Sequence, residues 1–324
     1  MGELEDLLNA QGGHVTWSDA VRAGVTRREV QAALRAGRLA HVGHRAYIDA
    51  RGITAQERHR RRAMALLRAQ PGRVATHHTA AVLLGLPVHG AELDTIHCGR
   101  AGTSGRRGRD WVLHRLPREV ATRQVGTDGL EASTVSAEVA ALQCALLVGR
   151  RSGLVTIDAA LRQGSREGDR SREAVRSRAD ARARTQAEVA AALKTYARTP
   201  RIAVARSAFE LGDYRRESPA ESLAAYELHV LRIPVTPQWP ITLEGRHVRA
   251  DFRVDGTNVL IEVDGMGKYA GPDALRAEKR REQALRHAGY EIVRLTWEDL
   301  GNRAKIRALV EAAKARCAGR PLLP

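Results

Sequence analysis

The sequence predicts a multidomain α/β chain, and three observations carry that reading. At 324 residues the chain exceeds what one compact core usually organises, so two or three domains are expected. Helical stretches stopped by glycine alternate with short apolar runs of period two, the signature of mixed helix and sheet. A polar segment from Gly164 to Arg184, alternating Arg with Asp, Glu and Ser, separates two regions rich in Ala, Leu and Val. The boundaries expected are a small helical module over 1–50, an α+β middle domain over 51–164, a linker and exposed helix over 165–205, and a C-terminal α/β/α domain over 206–324.

In the first module Leu4 to Gln11 reads as a helix stopped by Gly12-Gly13, and Thr16 to Ala23 as a second stopped by Gly24. Thr26-Arg27-Arg28-Glu29 fits a capping box, in which the Thr side chain accepts the N3 amide and Glu29 reaches back. Val30, Ala33 and Leu34 then form the inward stripe of a third helix, and Arg38 to Ile48, with Gly43 at its middle, reads as a hairpin. Three helices and a hairpin are the order of a winged helix. In that arrangement the third helix enters the major groove and exposes Arg27, Arg28, Gln31 and Arg35, while His44 and Arg45 on the wing lie near backbone phosphates. Glutamine reads base edges, which favours DNA over the alternative of a charged module for protein contact.

Thr54-Ala55-Gln56-Glu57 opens another capping box, and the helix it starts, to Ala69, carries Arg58, Arg60, Arg61 and Arg62, a face suited to a duplex backbone. A helix from His77 to Leu84 follows, then a strand-rich region to Leu116 with a cationic loop between Gly99 and Gly108. His77-His78 has no carboxylate or thiol partner at matching spacing and is read as a satisfied or solvent-facing pair. Ser133 to Gln163 has the Ala and Leu density of two packed helices.

Charge narrows the partners. Lys and Arg total 53 against 37 Asp and Glu, a net +16 that raises the potential toward polyanions, although an Arg-rich composition also follows from a high-GC coding sequence. No stretch reaches the ~20 apolar residues a membrane span needs, and the acidic start lacks a secretory core, so a cytoplasmic protein is expected. Cys98, Cys144 and Cys317 form no CxxC pair and read as small buried hydrophobes.

The chemistry concentrates in the last hundred residues. Ser218-Pro219-Ala220-Glu221 starts a helix with Ser as cap, Pro at the first position and Glu at N3. Val248 to Val254 and Val259 to Asp264 flank Asp255-Gly256, a strong hairpin signal. A loop of Asp255 to Asn258 sets Asp251 directly opposite Glu262, and a loop of Asp255-Gly256 alone makes them diagonal; either even length puts both acids on one face, with Asp264 two residues on. Carboxylates converging on one face repel unless a cation binds, and Mg2+ or Mn2+ suits oxygen ligands while keeping waters for chemistry. Lys268, after Gly265-Met266-Gly267, is placed to fold back toward such a metal.

Asp251-Phe252, Ile261-Glu262-Val263-Asp264-Gly265, Lys268-Tyr269, Glu278-Lys279-Arg280-Arg281-Glu282, Leu285, Gly289-Tyr290 and Val293-Arg294-Leu295-Thr296-Trp297 together resemble the very-short-patch-repair-like endonuclease domain known as DUF559, within the PD-(D/E)xK restriction-endonuclease-like superfamily. The first module, with the His77, Thr79-Ala80-Ala81 and Gly85-Leu86-Pro87 segment, is similar to the AbiEi antitoxin family of type IV toxin–antitoxin systems. The first resemblance implies a restriction-endonuclease-like C-terminal domain in which Asp251 and Glu262 are the metal-binding acids, Glu221 the acid on the preceding helix, and Lys268 or Lys279 a displaced lysine. Asp264 stands where that superfamily usually has the lysine. Two functions follow as expectations: a Mg2+-dependent endonuclease cutting DNA phosphodiesters in phage defence or repair, or an antitoxin-type autorepressor that keeps the nuclease fold as a scaffold. The partners expected are double-stranded DNA, a cognate toxin and a second copy of the chain as a homodimer.

Overall fold

The computed structural model describes residues 2–49, 51–126, 130–163, 172–243, 245–264 and 272–323, with the backbone alone described at 172–178, 272–275 and 277. Among the described residues the chain is a mixed α/β protein with three sheets. Among the described residues no helix is long and apolar enough to cross a membrane.

The N-terminal elements are α1 (Glu3–Ala10), β1 (His14–Thr16), α2 (Trp17–Arg22), α3 (Arg27–Arg35), β2 (Leu39–His41) and β3 (Ala46–Asp49). Thr16 and Thr26 cap α2 and α3 with complete capping boxes, each Thr hydroxyl accepting the N3 amide while the N3 carboxylate accepts the Thr amide. Leu4, Leu8, Val15, Ala20, Val30, Ala33 and Leu39 close one core beneath the three helices. Strand β1 is an addition to the sequence reading, since three residues carry too little alternation to be seen. Gly12 and Gly13 take φ of 65° and 80°, which only glycine adopts freely, and turn the chain so that β1 pairs antiparallel with β3 in the order β1-β3-β2.

The second sheet runs β6-β7-β5-β4-β9-β8, from β4 (Val74–Ala75), β5 (Ile96–Ala101), β6 (Arg106–Arg107), β7 (Trp111–Leu116), β8 (Thr122–Val125) and β9 (Ala132–Val135). The pairs β5–β7 and β4–β9 are parallel. Helix α4 (Ala55–Ala69) and α5 (His77–Leu83) pack with it. The sequence reading laid α4 along a DNA backbone; the structure buries one side of it and uses most of its arginines internally. Met64, Ala65, Leu66 and Leu67 are buried, Arg61 donates to Glu57 and to the Asp49 carbonyl, Arg62 to Asp110, and Arg68 to Asp19 of α2. Because Glu57 is held by Arg61, only the Thr54 half of the expected capping box forms.

Helix α6 (Ala137–Gln163) is broken at Gly149, whose φ of 85° and ψ of 176° interrupt the helical backbone and yield the two packed helices expected from composition. Residues 165–171 lie outside the described residues, and the described side chains of α7 (Arg172–Thr195) are mostly exposed, as expected of an exposed helix, with Thr185 and Ala192 as exceptions. Late in α7 Ala192 is buried, Tyr196 accepts a hydrogen bond from Gln143 of α6 at 2.7 Å, and Ala205 and Ala208 of α8 (Ile202–Glu210) enter the core that holds Leu142 and Ile157.

The C-terminal elements are α9 (Pro219–Val230), β10 (Val235–Leu243), β11 (Arg246–Val254), β12 (Val259–Val263), α10 (Pro272–His287), β13 (Glu291–Leu295) and α11 (Arg303–Cys317). The sheet order is β10-β11-β12-β13, antiparallel except for the parallel β12–β13 pair. Phe252, Val254, Val259, Ile261 and Val263 form one face and pack with Leu223 and Leu228 of α9 and Ile306 and Val310 of α11. On the other face Ala250 and Leu260 meet Leu285 of α10 and Tyr290. This second face also carries the carboxylates.

Candidate functional site

Strand register brings the acids together. Phe252 pairs with Ile261 and Arg253 with Leu260 above a loop of Asp255 to Asn258, and the ladder ends there, with Asp251 and Glu262 each one residue beyond the last pair. The two acids are near enough for the negative charge of Asp251 to raise Glu262. The ladder is irregular on both sides of Asp251. Gln238 on β10 has a φ of 55° and is skipped between the Pro237–Phe252 and Trp239–Ala250 pairs, and toward β12 the Asp251 Oδ2 accepts the Val263 amide at 2.7 Å. Left-handed backbone at a non-glycine residue costs of order 1 kcal/mol or more and is held there by its surroundings.

Glu221 and Glu262 both sense this arrangement. Burial pushes Glu221 above the usual carboxylate range and the negative charge of Asp251 adds to that; the Glu217 amide, Ser218 and Gln238 work against it. Its carboxylate caps α9, accepting Ser218 Oγ at 2.8 Å and the Glu217 amide at 2.9 Å, and also takes Gln238 Nε2 at 2.7 Å. Glu221 is therefore both a cap and the anchor of the distorted β10 residue beside Asp251. Burial raises Glu262 to about 7, Asp251 and Asp264 adding to the rise while Arg281 and Arg294 oppose it.

The cations facing these acids are arginines. Arg281 of α10 reaches Glu262 Oε1 at 2.6 Å and the Arg249 carbonyl at 2.9 Å. Arg294, opposite Glu262 on β13, bridges Asp264 at 3.6 Å, Glu278 at 2.8 Å and Glu282 at 3.0 Å. Asp264 is exposed. Lys279 is exposed too and lies off the α10 stripe of Glu278, Arg281, Glu282 and Leu285 that faces the sheet, so α10 sets an arginine and not Lys279 against Glu262. Lys268 lies outside the described residues. The donors of this face are all oxygen, which fits a hard divalent ion held by two carboxylates with its other positions left for water and phosphate.

The N-terminal residues divide in two. Arg27, Arg28, Gln31 and Arg35 are all exposed on α3, opposite Val30 and Ala33. The hairpin tip does not project freely: Gly43, His44 and Arg45 all take positive φ, the Arg45 carbonyl accepts the Trp17 amide, and the His44 ring sits 6.2 Å from Trp111 of β7. His44 and Arg45 remain exposed, but they sit at the seam with the second sheet.

No protein-family model and no curated protein matches this chain. The chemistry of its sites is therefore carried by its own geometry.

One cluster was not foreseen. Among the described residues, the group of three or more His, Cys, Asp or Glu whose ligand atoms come within 4.8 Å of one another is His77, His97 and His114. The sequence reading set His77-His78 aside for want of partners. Its partners are histidines from two strands that are parallel neighbours, His97 on β5 and His114 on β7, a pairing that spacing along the chain cannot reveal. The legible signal was the alternation in Ile96-His97-Cys98 and Leu113-His114, which marks each histidine as a side chain on one sheet face.

Proposed function

We propose that this chain binds double-stranded DNA through α3 and hydrolyses DNA phosphodiesters with a divalent metal, Mg2+ or Mn2+, at the Asp251–Glu262 face. The nearness of Asp251 on β11 to Glu262 on β12, each one residue beyond the Phe252–Ile261 pair, carries the reading. The order α1-β1-α2-α3-β2-β3 supports a winged helix over the first fifty residues, and the sheet between α9 with α11 and α10 supports the restriction-endonuclease-like layering that the DUF559 resemblance implies.

Asp251 and Glu262 would hold the metal, with Glu221 keeping Gln238 and thereby β10 in place beside Asp251. When bound, the metal supplies Lewis acidity and a water of lowered pKa. Glu262 must give up Arg281 to ligate, and the freed guanidinium is then positioned to hold a phosphate oxygen. Arg294 bridges Asp264, Glu278 and Glu282 and offsets part of the negative charge these three acids would turn toward a DNA backbone.

The regulator reading keeps one observation in its favour: Arg281 and Arg294 already compensate Glu262 and Asp264 without a metal. In that reading the chain is an AbiEi-like autorepressor, opposed by a cognate toxin, with a silent nuclease fold.

Incubating supercoiled plasmid with the protein and Mg2+ or Mn2+ separates the two. The hydrolase reading expects nicked or linear product from the wild type and its loss in Asp251→Ala and Glu262→Ala, with DNA binding by gel shift unchanged. Intact plasmid in every lane alongside a normal gel shift would select the repressor.

A further inference from the structure

We infer that His77, His97 and His114 form a three-histidine site for a borderline transition-metal ion, Zn2+ by its chemistry, which ties α5 to strands β5 and β7. The site is distinct from the carboxylate face in place and in donor type, and it stands whether or not that face cuts DNA.

The geometry has four parts. Their ligand nitrogens lie within 4.8 Å of one another, and the His97 Nδ1 to His114 Nε2 separation is 2.9 Å. Two nitrogens of a tetrahedral ion at Zn–N of about 2.0–2.1 Å stand roughly 3.3 Å apart, so the pair needs only a small opening to admit the ion. In the parallel register His97 pairs with Val112 and Gly99 with His114, which sends both rings to the same sheet face two residues apart. There they meet the first residue of α5, with the His77 ring centroid 5.0 Å from His97 and 4.2 Å from His114.

His77 is held for this task. Its φ of 53° is left-handed, costly for a histidine, and its amide donates to Gln143 Oε1 at 2.8 Å. Its Nδ1 lies 3.0 Å from the hydroxyl of Thr76, which is fully buried, so Nε2 is the nitrogen left to ligate. A hydrogen bond on the far ring nitrogen is what fixes tautomer and ring orientation in metal-bound histidines. All three rings are neutral near pH 7: burial lowers His77 well below its ordinary value, takes His97 to about 3 and lowers His114, with the neighbouring histidines adding to each shift. His77 and His114 are half-buried, not sealed, so two of the three rings meet solvent.

Nitrogen donors select Zn2+, Co2+ or Ni2+ over Mg2+, so the metal of this site and that of the carboxylate face are separable in one sample. The full-length protein, freed of metal with chelator and titrated with Co2+, is expected to develop the visible bands of a tetrahedral nitrogen site at one equivalent, and Zn2+ to bleach them. His114→Ala and His97→Ala should weaken Zn2+ by roughly 100-fold or more, whereas Asp251→Ala and the exposed His229→Ala leave it unchanged. Zn2+ should also raise the melting temperature of the wild type and of these two control variants, but not of the histidine variants. If the histidine variants fail to fold, the wild-type Co2+ spectrum decides by itself. Featureless absorbance with no melting shift in saturating Zn2+, or a Co2+ spectrum that survives in folded His114→Ala, overturns the site and leaves His97 and His114 a plain imidazole hydrogen bond.

Discussion

Helices α3 and α4 carry similar basic sequences less than thirty residues apart and do opposite things with them. On α3 the charged side chains Arg27, Arg28 and Arg35 are exposed with Gln31 among them, while the apolar stripe is narrow. On α4 the apolar surface is wide, and Arg61, Arg62 and Arg68 are drawn into carboxylates and carbonyls of the elements around them. Ion pairing leaves the net +16 unchanged but decides where the surplus stands, on α3 with its guanidinium groups open and not on the paired arginines of α4.

The largest effect expected from that contrast is on stability. The Arg68–Asp19 pair spans α4 and α2 at 2.9 Å with Asp19 only 4% exposed, so Arg68→Ala should cost about 3 kcal/mol in urea unfolding, much of it from the stranded carboxylate. A loss of DNA affinity with unchanged stability would instead return α4 to the nucleic-acid interface.

Asp19 also makes acid stability a probe of the same seam. Burial works to raise its pKa, but the Thr16 amide and hydroxyl together with Arg68 hold it below the ordinary 3.8. The stabilisation is complete above that value and is lost as pH falls through the lower folded-state value. Chemical denaturation between neutral pH and pH 3 should show a decline that Asp19→Asn flattens; parallel declines for both proteins would remove Asp19 as its source.

On α3 the sign reverses. Arg28→Ala or Gln31→Ala should weaken DNA binding by about tenfold or more, with stability changed by no more than about 0.5 kcal/mol. The arginine variant should lower the salt dependence by roughly one counterion, whereas a glutamine that reads a base edge leaves the salt slope as it was. Equal affinities for wild type and both variants would make α3 a protein-contact surface.

The smallest effect belongs to the exposed side of α4. Arg60 meets Glu57 at 3.9 Å with both side chains open to solvent, and Arg60→Ala should change stability by less than about 0.5 kcal/mol. A larger cost would mean that α4 is covered on this side as well.

What was legible in the sequence was local or depended on parity. The capping box at Thr26 and the Ser218 cap on the Glu221 amide need only three residues of spacing, and both formed, although the Glu221 carboxylate takes the Glu217 amide instead of completing a box. An even hairpin loop was enough to bring Asp251 and Glu262 to the same end of the β11–β12 pair, but not to foretell the break in the ladder there, where Asp251 accepts the Val263 amide. The cations of that face were not legible, because which residue of Glu278-Lys279-Arg280-Arg281-Glu282 looks inward depends on the rotation at which α10 docks, and that is set by Leu285 against Leu260 and Tyr290. The histidine cluster was hidden for a related reason. Its members converge only after a parallel pairing of β5 and β7 that crosses a loop and the edge strand β6.

The broken helix α6 serves two cores at once. Before Gly149 it lines the second sheet; beyond it Ile157, Ala159 and Ala160 stay in that core while Val155 packs with Leu223 and Ala224 of α9, Arg151 reaches Glu227 at 2.6 Å, and Asp158 takes Arg216 at 3.0 Å and the Asp213 amide at 2.8 Å. A fragment cut at residue 206 would strand Glu227 with one of its two arginine partners gone and leave Arg216 without its buried counterion. Anyone dissecting this protein should carry residues 150–163 with the C-terminal half, on a separate chain if necessary, and expect the two pieces to find each other by complementation.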